Sequence, residues 1–280
     1  MTMTAPEVRF RRSSSWWGTT SLESTASSPL PERCVLYIAP HTDDPPYPRA
    51  VRTGERAFDA AHFLYCDIPA LLPFFLGETT RKLLVRAVEN EEPFTLEQRD
   101  GEVRLRGGGP EARHVAVHRA LADDHLAALA SWQTRLQVAN GHAEAAWPLE
   151  GTLITRVGTL QVSAAWPVPV NDRDDWRAHE DAMFTHLRGE HEGRAPWSIR
   201  SGEASEPSAR MLGRRPFVIS GTPSVALEHL PPLIDAAGVV ALTGGKRLSV
   251  TFRGLPSTER IAAAVRIFEL CHGASSSPYR

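Results

Sequence analysis

The run Val35-Leu-Tyr-Ile-Ala-Pro-His41-Thr-Asp43-Asp44 sets one imidazole and two carboxylates in a short loop behind an apolar, β-prone stretch. Imidazole and carboxylate both ligate zinc, and a second carboxylate nearby can take a proton from zinc-bound water. His41, Asp43 and Asp44 therefore have the residue types that metal-dependent hydrolysis needs. The same residues also suit a polar turn leaving a strand, with both aspartates bonding to backbone amides.

Other constellations carry less. His114, His118 and His125 fall on one face if the surrounding segment is helical, with Asp124 beside them, but no His-Glu-x-x-His occurs. They read as a solvated helix face. His179, His186 and His191, with Glu180, Asp181 and Glu190, read in the same way. Gly107-Gly108-Gly109 and Gly244-Gly245-Lys246 lack both the Walker arrangement and a GxGxxG leading from strand into helix, so they read as turns. Ser220-Gly221 has no nucleophile-elbow pattern around it. The cysteines, Cys34, Cys66 and Cys271, read as too few and too scattered for a disulfide framework or a structural zinc site.

The elements that would position these residues are mixed. Cys34–Ala39 is a compact β run, and Phe58–Cys66 reads as a strand. Leu71 to Val88 supplies apolar positions for one or two helices interrupted by Pro73 and Gly77. Two alternating runs around Asp100-Gly101 predict a hairpin, and a second one spans Gly151–Arg156 and Thr159–Trp166. Val115, Leu121, Leu126, Leu129, Trp132 and Leu136 give residues 111–138 one apolar helical face. Residues 172–189 read as helix, 189–215 as a long polar loop, and 223–233 as helix. A last helix begins at a Ser257-Thr-Glu cap. The Ser/Thr/Pro stretch 22–31 reads as loop, and Val8–Arg11 as a short strand.

At 280 residues the chain can hold one large or two modest domains. Its 42% hydrophobic and 23% charged residues are a globular balance. With 31 Lys+Arg against 33 Asp+Glu the net charge is -2, so no global field draws it to nucleic acid or an anionic membrane. No run approaches the ~18 apolar residues of a membrane helix. Without an apolar run of signal-peptide length, and with an odd cysteine count, the expected location is cytoplasmic.

One order of events recurs. Phe63-Leu-Tyr-Cys-Asp-Ile-Pro69 and Phe217-Val-Ile-Ser-Gly-Thr-Pro223 each precede helix, strand and a final helix, and Val103-Arg-Leu-Arg-Gly107 matches Val250-Thr-Phe-Arg-Gly254. The chain thus reads as α+β with two similar sheet-plus-helix units, 32–140 and 147–272, an internal duplication. Residues 1–31 read as a flexible or partly paired segment and 273–280 as a disordered tail.

Two family resemblances follow from these residues. Thr53-Gly54-Glu55-Arg56-Ala57-Phe58-Asp59, with the strand, helix and Asp100-Gly101 strand after it, resembles an uncharacterised bacterial domain family with a Thr-Gly-Asp-x-x-Phe-Asp segment. The likeness covers roughly residues 50–107, has Glu55 for Asp, and implies a fold unit without catalytic residues. In it Gly54 permits a tight turn, Phe58 plugs the core and Asp59 satisfies backbone donors. The run ending in Pro40-His41-Thr-Asp43-Asp44 resembles the loop of zinc-dependent N-deacetylases, which implies His41 and Asp44 as metal ligands and Asp43 as base. Pro45 departs from that family's Glu, the following Gly-rich helix start is absent, and no later His-Pro-Asp-His-like segment supplies another ligand. The reading adopted is a non-enzymatic protein that binds another protein and needs no cofactor. A zinc-dependent hydrolase centred on His41, Asp43 and Asp44 is the alternative.

Overall fold

Alternating side chains and helical stripes build the chain into mixed α+β structure with two antiparallel sheets, as the sequence led us to expect. The computed structural model describes residues 7–14, 20–28, 34–41, 46–47, 50–67, 69, 72–107, 109–137, 142–146, 149–165, 183–191, 195–206, 208–223 and 225–273. Two compact units partition it, one of residues 1–130 and 168–180 and one of 131–167 and 181–280. No helix among the described residues is long and apolar enough to cross a membrane.

The first unit holds strands β1 (Arg9–Ser14), β2 (Thr20–Ser27), β3 (Leu36–Pro40), β4 (His62–Cys66), β5 (Phe94–Arg99) and β6 (Glu102–Gly107). They form one sheet in the order β1-β2-β6-β5-β3-β4, every neighbour antiparallel. Helices α1 (Arg56–Ala61), α2 (Leu72–Phe75), α3 (Glu78–Glu89) and α4 (Glu111–Leu136) complete the order, α4 running on into the second unit. Asp100 and Gly101 both have positive φ, 52° and 76°, which is the turn an Asp-Gly hairpin requires.

In the second unit lie β7 (His142–Ala146), β8 (Glu150–Thr155), β9 (Gly158–Ala165), β10 (Phe184–Glu190), β11 (Trp197–Ser201), β12 (Ala209–Leu212), β13 (Arg215–Ser220), β14 (Val239–Gly244) and β15 (Arg247–Arg253). A 3-10 turn at Leu227–His229, α5 (Pro231–Ala237) and α6 (Thr258–Cys271) interleave with them. The sheet order is β12-β13-β11-β14-β15-β10-β9-β8-β7. Within it, β9-β10-β15-β14-β11-β13 is all antiparallel and repeats, in chain order and in neighbours, the first sheet's β1-β2-β6-β5-β3-β4. The matched segments of the sequence fall on corresponding strands, β4 with β13 and β6 with β15. At unchanged spacing Arg113, Arg119 and His125 of α4 answer to Arg260, Arg266 and His272 of the second unit.

Several elements differ from expectation. Phe58 sits on α1, so the strand begins only at His62. Residues 20–27 are strand rather than loop, because β2 pairs with β1 on one side and β6 on the other despite its Ser/Thr composition. Phe184–Glu190 is strand, not helix: Thr185, Leu187 and Gly189 alternate inward between β9 and β15. The rest of that expected helix, 172–182, lies outside the described residues, as do Trp16, Trp17, Trp147, Trp166 and the tail 274–280. Trp197 and Ile199, expected in a loop, are buried on β11, and the later helix begins only at Pro231. Ser257 Oγ accepts from the Arg260 N–H, capping α6 as its sequence signalled.

The Thr53–Asp59 segment is a self-closed turn. Asp59 accepts from the Thr53 N–H and Oγ1–H, both at 2.8 Å, and from the Gly54 N–H at 2.9 Å. Gly54 takes φ 76°, and the Phe58 ring is fully buried. Replacing Asp59 with Ala leaves three donors without their acceptor, and we expect urea unfolding to show a loss of about 2–4 kcal/mol. A change below about 0.5 kcal/mol would mean that the turn closes without the carboxylate.

Candidate functional site

Parity along the first sheet divides its side chains between two faces. One row of directly opposed residues, Phe10, Ser24, Leu105, Leu96, Ile38 and Leu64, crosses all six strands; all but Phe10, at the edge, are buried. Helix α4 closes this face, His114 and His118 reaching Ser24 and the His114 ring meeting Phe94 edge-on. The row behind it, Arg9, Thr25, Arg104, Glu97, Tyr37 and Tyr65, lies on the opposite face and is half-buried to exposed.

That opposite face has two ends of different character. Toward β4 it is aromatic: Tyr37 meets Phe63 at 6.4 Å, and Tyr47 lies flat on Tyr65, ring centroids 4.1 Å apart and 6° from parallel. Partial burial, then Glu97, pushes the Tyr47 phenol up; burial, then the Asp67 carboxylate, does the same to Tyr65. Both remain neutral hydrogen-bonding groups on an apolar plate. Toward β1 the face is charged, with Arg9, Arg11, Arg99, Arg104 and Arg106 set among Glu23, Glu97 and Glu102. Arg106 pairs with Glu23 at 2.7 Å, and Arg9 and Arg104 both reach Glu102. The matching face of the second sheet carries Ser198, Thr243, Ser249, His186 and Thr251 together with Arg188, Arg200, Arg247 and Arg253 in its register, and no tyrosine among its described residues.

His41 leaves β3 exposed, and its Nε2 faces the Asp59 carbonyl oxygen at 3.1 Å. Asp43 and Asp44 lie outside the described residues. On the adjacent strand His62 is buried against the Phe58 ring, and neither of its ring nitrogens has a hydrogen-bond partner. Among the described residues, one group of metal-ligating side chains converges: Cys34, Cys66 and Asp67, whose ligand atoms lie within 4.8 Å of one another. The cysteines thus are not scattered in space, since pairing of β3 with β4 brings two of them together.

The histidines of α4 overturn the expectation of a solvated face. His114, His118 and His125 are all buried, in the stripe that continues through Val117, Leu121, Ala128, Trp132 and Leu136. Ser24 Oγ lies 2.7 Å from His114 Nδ1 and 3.0 Å from His118 Nε2, a polar knot within the core. Ile261 and Val265 of α6 hold the corresponding places in the second unit. The spacing of the three histidines with Leu121 and Trp132 was the signal that could have placed them inside. His186 is half-buried with Nδ1 at 2.9 Å from Thr251 Oγ1; His179, Glu180 and Asp181 fall outside the described residues. Neither family models, curated proteins nor solved structures yield a match to this chain.

Desolvation, then the neighbouring His114, holds the His118 imidazole down at about 4, and burial likewise holds His62 at about 4, against an ordinary 6.5. The unfolded chain therefore takes up these protons first as pH falls. Stability is full above about 6.5 and declines toward 4, by roughly 3 kcal/mol for each histidine. Urea unfolding across that window should show His118→Val, the residue found in the second unit, losing less stability on acidification than the parent chain. Equal losses in both would remove His118 from the account.

Proposed function

We propose that the chain is a non-enzymatic binding protein that docks another protein on the open face of its first sheet. One observation carries this reading: the row Arg9-Thr25-Arg104-Glu97-Tyr37-Tyr65, aromatic at one end and arginine-rich at the other. Tyrosine supplies contact area at low entropic cost, and arginine forms bidentate bonds to carboxylates; both are the residues on which binding energy concentrates in protein interfaces. Five arginines against three glutamates on this face favour a partner presenting acidic side chains beside apolar ones. The matching face of the second sheet carries arginines but no tyrosine among its described residues, which supports placing recognition on the first.

A duplicated origin accords with this division. The shared strand order, the matched segments on β4/β13 and β6/β15, and the corresponding residues of α4 and α6 support descent from one unit. After duplication one copy is free to acquire a recognition face. No described geometry favours the hydrolase alternative: the His41 ring meets the Asp59 carbonyl oxygen, and Asp43 and Asp44 lie outside the described residues.

The test is affinity capture of the tagged full chain from its own cells, alongside Tyr65→Ser, Arg104→Glu and, as control, Met211→Ser at an exposed site on β12. Capture of one stoichiometric protein by the parent and the control, weakened about tenfold or more by either face variant, is the expected result. Equal capture by all four, or no protein partner, would reject this face as the docking surface.

A further inference from the structure

Cys34 and Cys66 stand 32 residues apart in sequence, yet their Sγ atoms are 3.9 Å apart. Cys66 pairs with Leu36 across β3 and β4, and Cys34 projects from the same face two residues before Leu36. Both are buried, whereas Asp67 is exposed. The Val35 N–H donates to Asp67 Oδ1 at 2.9 Å, and the Asp67 N–H donates back to the Val35 carbonyl. That reciprocal pair fixes the carboxylate beside the two sulfurs.

The geometry points to a divalent-metal site of the kind that takes zinc, formed by the Sγ atoms of Cys34 and Cys66 and a carboxylate oxygen of Asp67. Two thiolates bonded at about 2.3 Å to one tetrahedral ion lie about 3.8 Å apart. The observed sulfur spacing is close to that value, whereas bonded sulfurs lie about 2.05 Å apart. A dication at the centre lets all three ligands be anionic together.

Soft thiolates favour zinc over calcium or magnesium. The Val35 N–H acts as the outer-shell partner that orients the Asp67 ligand. Asp67 also gives the entry path, since it is the exposed member of the set. Three protein ligands leave a fourth position for water or an external ligand. Cys34 precedes the start of β3 whereas His41 follows its end, and the site is independent of the binding face.

Cobalt(II) is the probe. Titrated anaerobically into the reduced full chain, one equivalent should produce thiolate-to-cobalt charge-transfer absorption in the near ultraviolet and the strong visible bands of four-coordinate cobalt, both bleached by zinc. Cys34→Ser and Cys66→Ser should abolish the charge-transfer band, Cys271→Ser should leave it intact, and Asp67→Asn should weaken zinc binding about tenfold or more. If the cysteine variants do not fold, Asp67→Asn at its exposed position carries the test, and unchanged zinc affinity would overturn the site. A folded, reduced chain without the band would do the same. So would a chain that shows no band and instead joins Cys34 to Cys66, losing two hydrogens, on exposure to glutathione disulfide.

Discussion

The parity of an antiparallel strand governs nearly everything else in the first unit. Once Leu105, Leu96, Ile38 and Leu64 are committed to the helix-covered side, Arg104, Glu97, Tyr37 and Tyr65 have no choice but the other. A slip of one residue in any pairing would carry charge into the core and leucine into water. The buried leucines therefore hold the tyrosine plate and the arginine row in register without touching them. The same alternation turns Cys34 and Cys66 to one side of their strands, where they meet.

Some of the polar groups that this parity drives inward find one another. Ser24 occupies a core position on β2, and the histidines of α4 arrive opposite it. A hydroxyl with two imidazoles within hydrogen-bond reach keeps a polar group satisfied where the second unit uses Ile261 and Val265. The arrangement exchanges hydrophobic packing for directional bonds, and it makes the core of one unit sensitive to protons while the other stays indifferent at those positions.

What could be read from the sequence was whatever depends on neighbours along the chain. The Asp100-Gly101 hairpin, the long α4, the capped α6 and the Thr53–Asp59 turn all draw their signals from nearby residues. The α+β class followed from them. Elements defined by partners far away were misread. Strand β2 is polar by composition and exists because β1 and β6 flank it; β10 carries a pattern that imitates a helix until β9 and β15 impose period two. The site suffered for the same reason. The Tyr37–Tyr65 plate and the Cys34–Cys66 pair are contacts across strands, invisible to spacing, while the histidines of α4 were visible as a face but not as the face that turns inward.

The order β1-β2-β6-β5-β3-β4 also has a kinetic side. As the chain leaves the ribosome, β2 and β3 are made early but are never neighbours; the hairpin of β5 and β6 must later enter between them. The second sheet repeats this, with β14 and β15 entering between β11 and β10. Until then the edges of four strands lack their partners, and such bare edges are where nascent chains stick to one another. Long-range insertion of this kind is slow compared with hairpin closure. In each sheet, the strand that joins the two early parts is the last one to be synthesised.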